Sequence, residues 1–345
     1  MHTLNGILID NPKINGNKNQ NTLKIALVGN PNSGKTSIFN YLTGAHQRVG
    51  NWGGVTVDVK EGITKSENLK INLVDLPGTY SLSAYSIEEK VARDYVINER
   101  PDVVINVIDA TNLERNLYLT LQLFELGIRP VLAFNMWDEV KNKKISIDIQ
   151  KLEKFFGVPI VPTIGKSGRD VHKMVGIAVD HYKNDKKQSA PCSTTRFPKE
   201  LSDALLIIAS KETLKQQKRY SPDWIALKLM ENDSQVEDYV SRLQNGESVL
   251  KEVDSFKKDI DSFLGDDPES IIAEARYGFI SGALRESIRY DAKDKAEISD
   301  EIDNVLTHPV LAYPIFIAFL WFLFQATFTL GAYPMDWIDG FCGWL

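Results

Sequence analysis

A glycine-rich loop near the amino terminus constrains the fold of this chain more than any other feature. Residues 29–36 read G-N-P-N-S-G-K-T and match the phosphate-binding pattern G-x-x-x-x-G-K-[ST]. The apolar run at 23–28 predicts a buried strand before the loop, and residues 37–42 continue as a helix. In such a strand–loop–helix unit the backbone N–H groups hold nucleotide phosphates, Lys35 reaches the β- and γ-phosphates, and the Thr36 hydroxyl binds Mg²⁺. The sequence therefore predicts a nucleotide-binding α/β domain.

The base is indicated by N-M-W-D at residues 135–138, which follows the apolar strand 129–134. Guanine carries two neighbouring donors, N1–H and the exocyclic amine, that a carboxylate accepts together, whereas adenine lacks this pair. Because a site built on hydrogen bonds rejects a ligand that leaves them unpaired, we expect Asp138 to select guanine. Asn135 is expected to brace the phosphate loop against the base-binding loop.

Two further motifs lie between these in sequence order. D-L-P-G at residues 75–78 follows the strand 69–74, so Asp75 would hold Mg²⁺ through water and the Gly78 N–H would meet the γ-phosphate. The glycine-dense loop 50–57 carries Thr56, a second hydroxyl ligand for Mg²⁺ when a γ-phosphate is present. Taken alone, Thr56 is as readily explained as the β-branched opening of the next strand. The four motifs in this order predict a GTPase.

Composition narrows the class of protein. At 345 residues the chain exceeds one typical domain, so two domains and additional segments are expected. A net charge of −6 without a basic patch argues against nucleic acid as the main partner. The only cysteines, Cys192 and Cys342, exclude a disulfide framework and suit a reducing compartment. Residues 1–22 lack the apolar core of a signal peptide and are interpreted as a disordered lead-in.

The carboxyl-terminal region is unlike the rest of the chain, because residues 310–330 are apolar and contain no charge. About 20 such residues are needed to cross a bilayer as a helix, so we predict a transmembrane helix at 309–331. The alternative is a buried core helix, but such a helix usually has a polar face, and this one has almost none. Residues 332–345 are interpreted as the truncated start of a membrane domain.

Between these regions the pattern becomes helical. The predicted G domain covers 23–182, a polar stretch at 183–198 reads as a linker, and a helical domain covers 199–300. One helix is predicted at 201–214 and a longer amphipathic stretch at 234–264, and two more helices are opened by the start signals Ser221-Pro222 and Asp267-Pro268. No catalytic or metal-ligand spacing occurs there, so the domain is interpreted as regulatory or connecting. The fold class is thus a Ras-like P-loop domain with a mixed, mostly parallel sheet and helices on both faces, followed by an all-α domain and one transmembrane helix.

The chain resembles the cytoplasmic amino-terminal part of FeoB ferrous iron transporters. The resemblance rests on the motifs above and on four others: Q-R-V-G-N-W at 47–52, G-V-T-V at 54–57, the extension D-L-P-G-T-Y-S-L at 75–82, and D-A-T-N-L-E-R-N-L at 109–117. It continues at A-R-Y (275–277) and T-H-P-V (307–310). It implies a G domain, a helical domain that stabilises bound GDP, and a membrane domain that carries Fe²⁺ and is almost wholly missing here.

The resemblance also implies a setting and a set of contacts. The protein would lie in the inner membrane with its G and helical domains on the cytoplasmic side. Its partners would be the remaining membrane domain and a small FeoA-like protein, and homo-oligomerisation is left open.

The family's fifth G-domain motif, a Ser-Ala turn, falls at 163–166 without that serine and alanine, and Gly53 replaces a common proline. The expected nucleotide contacts are Asn30, Pro31, Asn32, Ser33, Gly34, Lys35, Thr36, Ser37, Gly54, Val55, Thr56, Asp75, Leu76, Pro77, Gly78, Asn135, Met136, Asp138, Thr163, Ile164 and Gly165.

A slow intrinsic rate is expected, because Thr79 stands where Ras-type GTPases place the glutamine that orients water. Arg48 is the nearest candidate for an arginine finger and is equally well explained as a surface charge.

In related potassium-activated GTPases an asparagine at the position of Asn32 ligates K⁺, with carbonyls from the first switch, here Gly50 and Trp52, completing the cage. Asn32 would otherwise stabilise the turn. The catalytic set is therefore predicted as Asn32, Lys35, Thr56 and Gly78, with Mg²⁺ on Thr36, Thr56 and Asp75.

Three functions remain open on this evidence. The first is the GTP-driven regulatory module of a ferrous iron transporter, with GTP or GDP, Mg²⁺ and K⁺ as cofactors and Fe²⁺ as the transported substrate. The second is a soluble potassium-activated GTPase acting on ribosomes or tRNA, which predicts a basic appendage and no apolar span. The third is an ATP-dependent P-loop enzyme, against which Asp138 argues. The first fits the chain best.

Overall fold

The computed structural model describes residues 22–44, 47–51, 57–66, 69–83, 86–185, 195–290 and 312–344. The chain divides into two compact units, residues 1–289 and 290–345, and each is described by itself. The predicted lead-in, residues 1–22, lies outside the described residues except for Thr22, which is wrongly placed in it because it begins the first strand.

Strands and helices alternate through the first half of the chain. The strands are β1 (Thr22–Gly29), β2 (Gln47–Asn51), β3 (Asp58–Ser66), β4 (Leu69–Asp75), β5 (Val103–Asp109), β6 (Val131–Asn135), β7 (Ile145–Ile147), β8 (Ile160–Pro162) and, much later, β9 (Ile288–Tyr290). The helices among them are α1 (Lys35–Thr43), α2 (Ile87–Asp94, continued by a π-helical turn at Tyr95–Glu99), α3 (Leu113–Glu125), α4 (Trp137–Asn142), α5 (Ile149–Phe156) and α6 (Val171–Asp185). Such alternation is typical of α/β domains.

Seven strands form one sheet in the order β2-β3-β4-β1-β5-β6-β8. The pairs from β4 to β8 are parallel, whereas β3 is antiparallel to both β2 and β4. The central strand β1 alternates its side chains: Ile25 and Leu27 pack with α1 and α6 on one face, and Ala26 and Val28 pack with α2 and α3 on the other. The predicted fold class is confirmed. Because β1, β4 and β6 run parallel, their carboxyl ends and the motifs that follow them share one edge of the sheet.

The second half of the larger unit is helical, as predicted. Its helices are α7 (Lys199–Ala209), α8 (Glu212–Gln216), α9 (Pro222–Met230), α10 (Ser234–Ser241), α11 (Gly246–Leu264) and α12 (Pro268–Ser287). Both predicted start signals are confirmed as N-caps. The Ser221 hydroxyl accepts from the Trp224 N–H at 3.1 Å, and the Asp267 carboxylate accepts from the Ser270 N–H at 2.9 Å.

The single helix predicted at 201–214 is wrong because it is interrupted, and the amphipathic stretch at 234–264 also contains a break. The helix predicted at 201–214 breaks at Lys211, whose backbone is extended, and becomes α7 and α8. The amphipathic stretch predicted at 234–264 forms two helices, α10 and α11, because the chain turns at Asn245-Gly246. Asn245 is left-handed with φ 63°, and a Cβ on Gly246 would lie 1.8 Å from the Val240 carbonyl oxygen. Glycine is therefore required at this turn.

A buried ion pair joins the helix after the second phosphate motif to the helical region. Arg93 on α2 donates to a carboxylate oxygen of Asp233 at 2.5 Å and also contacts Gln235. Both members of the ion pair are almost fully buried. The other oxygen of Asp233 caps α10 through the N–H groups of Gln235 and Val236. One carboxylate therefore fixes α10 and holds α2 against it.

A second buried cluster joins α3 to α12, and we call its members, Arg276, Glu125, Glu231, Lys228 and Tyr118, the Arg276 cluster. The fully buried Arg276 guanidinium donates two bonds of 2.8 Å to Glu125, a third of 3.0 Å to the Tyr118 hydroxyl, and one to Glu231. Lys228 pairs with Glu231 at 2.8 Å. Burial alone would raise the pKa of Glu231, but the two cations outweigh it and lower that pKa to about 2. Burial raises the pKa of Glu125 against the pull of Arg276.

The smaller unit contains one long helix, α13 (Ala312–Trp344). Within the described residues it is the one helix long and apolar enough to cross a membrane, over Ala312–Thr329. The prediction that the helix ends at 331 is wrong, because α13 continues unbroken through 332–344. Its 33 residues correspond to about 50 Å, which exceeds a bilayer core of about 30 Å.

Candidate nucleotide-binding site

The loop between β1 and α1 depends on two glycines with close neighbours. Gly34 has a left-handed backbone with φ 82°, and a Cβ there would lie 2.2 Å from the Asn135 side-chain nitrogen. A Cβ on Gly29 would lie 2.3 Å from the Val107 carbonyl oxygen of β5. The two positions admit no larger residue without displacing the loop or the strand beneath it. Steric crowding in this fold therefore explains why the sequence pattern has glycine at both positions.

The three groups expected to meet phosphate and Mg²⁺ lie together at the end of β1 and β4. The Lys35 ammonium contacts one oxygen of Asp75 at 2.8 Å, and the Thr36 hydroxyl donates to the other at 3.1 Å. Lys35 and Asp75 are buried, whereas Thr36 is exposed. A cation, a carboxylate and a hydroxyl in direct contact beside a glycine loop form the donor set that a nucleotide triphosphate with Mg²⁺ requires. The buried hydroxyl oxygen of Ser33 has no partner within the described structure, which also fits a loop that binds an anion.

Asn135 connects the phosphate loop to the turn after β8, as its sequence position indicates. Its side-chain nitrogen donates to the Ser33 carbonyl at 2.8 Å, and its side-chain oxygen accepts from the Gly165 N–H at 2.7 Å. The Ile164 N–H is donated to the Arg169 carbonyl. The N–H groups of Ile164 and Gly165 are therefore engaged within the protein, and the expected contacts of this turn with guanine stay a prediction.

Asp138 lies in the first turn of α4, three residues after Asn135. Met136 begins that helix with a left-handed φ of 59°, and the Trp137 N–H donates to the Thr163 carbonyl at 3.2 Å. This turn carries the chain from the buried end of β6 to a half-buried carboxylate. Among the described residues, the Asp138 carboxylate has no hydrogen-bond or ion-pair partner, so it is free to accept from a base. Trp137 is partly buried and packs against the core.

The loop after β4, residues 76–83, is attached to the phosphate loop; we call it the second switch loop. The Thr79 N–H donates to the Gly29 carbonyl at 3.1 Å. A Cβ on Gly78 would lie 3.0 Å from Pro31, so glycine permits this close approach. The loop therefore lies against the residues expected to hold phosphate.

Several residues that hold the second switch loop were not singled out from the sequence. Gln122 on α3 accepts from the Leu82 N–H at 2.5 Å, and the Arg115 guanidinium lies 4.0 Å from the centre of the Tyr80 ring. Glu89 on α2 accepts from the hydroxyls of Ser81 and Ser83, each at 2.9 Å. A capping box was the one local signal available, because Ser86 and Glu89 have its spacing. The others depend on partners far along the chain.

The remaining predicted residues divide into two groups. The described ones line the same loops and differ in exposure. The buried residues are Asn30, Ser33, Leu76 and Thr163, the half-buried ones are Pro31, Pro77, Met136 and Ile164, and the exposed ones are Asn32 and Ser37. Asn32 has a left-handed φ of 64° at the tip of the phosphate loop. Arg48 is exposed on β2, of which Gly50 is also part. The predicted contacts Trp52, Gly54, Val55 and Thr56 lie outside the described residues.

Comparison with known families gives matches over both halves of the larger unit. Residues 23–177 match the family described as "Ferrous iron transport protein B", and residues 197–289 match the "FeoB cytosolic helical domain". An Fe(2+) transport protein A/Fe(2+) transporter FeoB fusion protein from Porphyromonas gingivalis is 42% identical over 95% of this chain and 39% of its own length. The Fe(2+) transporter FeoB of Escherichia coli K12 is 36% identical over 90% of this chain and 39% of its own length. The chain thus spans about two fifths of these relatives.

Solved structures agree with the sequence matches. A mutant FeoB G-domain of S. thermophilus bound to GDP is 40% identical, with a TM-score of 0.69 over 77% of this chain and 100% of the other. The cytosolic domain of the T. maritima FeoB iron transporter in a GMPPNP form is 31% identical, with a TM-score of 0.66 over 77% of this chain and 99% of the other.

Proposed function

Because the chain belongs to the FeoB family of ferrous iron transport proteins, we propose that it is the GTP-binding and slowly GTP-hydrolysing regulatory module of a ferrous iron transporter. Its nucleotide state would act through the helical region on a membrane part that carries Fe²⁺. The observation that carries the proposal is the contact of Lys35 and Thr36 with Asp75 beside a loop that Asn135 braces. Those four side chains bring the phosphate, Mg²⁺ and guanine motifs to one edge of the sheet.

Each group has a distinct role in this proposal. Lys35 neutralises charge on the β- and γ-phosphates, and the Gly78 N–H donates to the γ-phosphate, so that the second switch loop differs between GTP and GDP. Thr36, Asp75 and Thr56 would hold Mg²⁺, which when bound supplies positive charge to the phosphates. Asp138 accepts from guanine. With Thr79 in place of a water-orienting glutamine, hydrolysis is slow.

The relatives and the apolar helix α13 support a proposed partner and location. The Porphyromonas gingivalis relative is a fusion of Fe(2+) transport protein A with FeoB, which supports a small FeoA-like protein as a partner of this chain. The apolar window in α13 supports attachment to a membrane, which we propose is the inner membrane with the larger unit on its cytoplasmic side.

Nucleotide competition tests the function. We expect GTP and GDP to displace a fluorescent GDP analogue from the intact chain, and ATP to fail at about a hundredfold higher concentration, because adenine offers no donor pair to Asp138. A Lys35→Ala variant is the control for specific binding and should bind the analogue weakly. Equal displacement by ATP would contradict the assignment to guanine.

Potassium dependence is a separate expectation. If Asn32 ligates K⁺ beside the phosphates, GTP turnover should be about tenfold or more faster in K⁺ than in Na⁺, because a fixed cation stabilises developing charge. Asn32→Ala should lose this difference, whereas Asn142→Ala, which removes an exposed asparagine on α4, should keep it. Phosphate release in the two buffers is the measurement, and equal rates for the unmodified chain would exclude a K⁺ role.

A further inference from the structure

Helix α3 contacts the second switch loop along one stripe of its surface. The Arg115 guanidinium stacks 4.0 Å from the Tyr80 ring centre, and the buried Gln122 side chain accepts from the Leu82 N–H at 2.5 Å. Arg115 and Gln122 are seven residues apart and therefore lie on the same side of the helix. They hold Tyr80 and Leu82, two and four residues after Gly78. This stripe therefore fixes the loop that is expected to respond to the γ-phosphate.

A neighbouring stripe of α3 contacts α12 of the helical region. Glu114 accepts from the Ser281 hydroxyl, Tyr118 lies 5.1 Å from the Tyr277 ring centre, and Glu125 pairs with Arg276 through two bonds of 2.8 Å. Positions 114, 118 and 125 are spaced by four and seven residues, so they too share one side of the helix. These contacts run along about three turns of α3 and include a fully buried arginine of α12.

The two stripes belong to one short, packed helix. The 13 residues of α3 also bury Leu117 and Leu121 in one core cluster and Leu119 and Leu123 in another. Because a helix packed on several sides moves as a body, a shift of the switch stripe also shifts the α12 stripe. The main chain of α3 is further joined to the phosphate loop, since Asn30 donates to the Arg115 carbonyl at 3.5 Å.

We propose that α3 couples the second switch loop to α12, and that Arg115 and Gln122 are the positioning residues at the switch end. The coupling rests on the proposed function, because it requires the loop to differ between GTP and GDP. Nucleotide state at Gly78 is then passed through Tyr80 and Leu82 to α3, and from α3 to α12. Among the described helices, α12 is the one that precedes the apolar α13 in chain order.

A second route through α2 makes a different prediction. Glu89 holds Ser81 and Ser83, and Arg93, one turn later, pairs with Asp233 at the start of α10. That route would deliver a nucleotide-dependent change to α10. The α3 route delivers it to α12, and the two are distinguished by which helix responds.

Hydrogen exchange of the intact chain with bound GDP and with a non-hydrolysable GTP analogue tests the proposal. For the unmodified chain we expect the exchange rates of the α12 amides near Arg276 to differ between the two states by about five- to a hundredfold. This factor corresponds to a typical coupling free energy between two sites. Arg115→Met and Gln122→Met should reduce the difference to about twofold or less. Arg115→Lys, which keeps a cation over Tyr80, should restore much of it. Arg285→Met, which removes an exposed arginine of α12, should leave it unchanged.

Affinities for both nucleotides are measured on the same samples. Arg115 is exposed, so its substitutions are expected to leave folding and nucleotide binding intact. An α12 difference that persists in Arg115→Met and in Gln122→Met, or a response in α10 without one in α12, would overturn the proposal. Failure of the unmodified chain to bind the GTP analogue would instead contradict the proposed function.

Discussion

Replacing Asp138 with asparagine is expected to weaken GTP binding by about a hundredfold to ten-thousandfold. The carboxylate is half-buried at the start of α4 and has no other partner within the described structure, so it is available to both guanine donors. A hydrogen bond to a charged group contributes about 1.5–3 kcal/mol, and two of them correspond to this range. An amide accepts from N1–H but presents its N–H₂ to the guanine amine, which leaves two donors facing each other.

The same substitution should create a xanthine site, because xanthine carries a carbonyl where guanine has its amine. We therefore expect Asp138→Asn to bind XTP with an affinity near that of the unmodified chain for GTP. Glu139→Gln is the matched control, since it neutralises the next, exposed carboxylate and should leave GTP binding unchanged. Competition against a fluorescent GDP analogue, and against its xanthine counterpart for the variant, measures both effects. A folded variant that keeps its GTP affinity would remove Asp138 from the base site.

The elements that carry nucleotide chemistry were predictable because their signals are local. Apolar runs followed by glycine-rich or Asn-x-x-Asp turns place β1, β4 and β6 and the loops after them. The bridge made by Asn135 follows from that arrangement, because parallel strands end at one edge. The caps Ser221 and Asp267 were equally local, since each precedes a proline at the first helical position.

The breaks between helices show where prediction from local sequence signals fails. The Asn245-Gly246 pair is a turn signal that was available, but the amphipathic patterns on both sides of it were treated as one helical stretch. At Lys211 no glycine or proline marks the break, and the short α8 is set by packing of Leu214 into the helical core. Tertiary packing, and not local helix propensity, therefore sets the helix boundary at Lys211.

The residues that join the two halves of the larger unit could not be found from spacing. Arg93 and Asp233 are 140 positions apart, and Arg276 and Glu125 are 151 apart. Arg93, Glu125 and Arg276 lie within helices and Asp233 lies at the start of one, positions where a charged residue is ordinarily solvated. Only the fold places these charges opposite one another and away from water, and burial then makes each of them dependent on its partner.

Arg276→Met is expected to destabilise the larger unit by about 3–5 kcal/mol, because it leaves Glu125 and Glu231 buried with one cation fewer. Its guanidinium is fully buried and forms four hydrogen bonds, so water cannot readily replace it. Urea unfolding of the intact chain in detergent, followed by circular dichroism, measures the change. Arg285→Met, on the exposed side of the same helix, should cost about 0.5 kcal/mol or less.

A second substitution separates lost packing from unpaired charge. Glu125→Gln added to Arg276→Met removes the carboxylate whose ion pair with Arg276 is lost, whereas Glu231 keeps Lys228, so the double variant should be more stable than Arg276→Met alone. If the loss came only from packing of the arginine stem, the two changes would add instead.

The pH dependence of the stability loss provides an independent test of the role of charge at Arg276. In the unmodified chain the pKa of Glu231 is about 2 against 4.5 for a free side chain, so its ionisation stabilises the fold above about pH 4.5 and that contribution is lost as the pH falls toward 2. Without Arg276 both carboxylates are held less strongly in the charged form, their pKa values rise, and protonation relieves the unpaired charge. The destabilisation caused by Arg276→Met should therefore be larger at pH 7.5 than at pH 4.5. A loss of stability that does not change with pH would show that Arg276 acts through its shape and not through its charge.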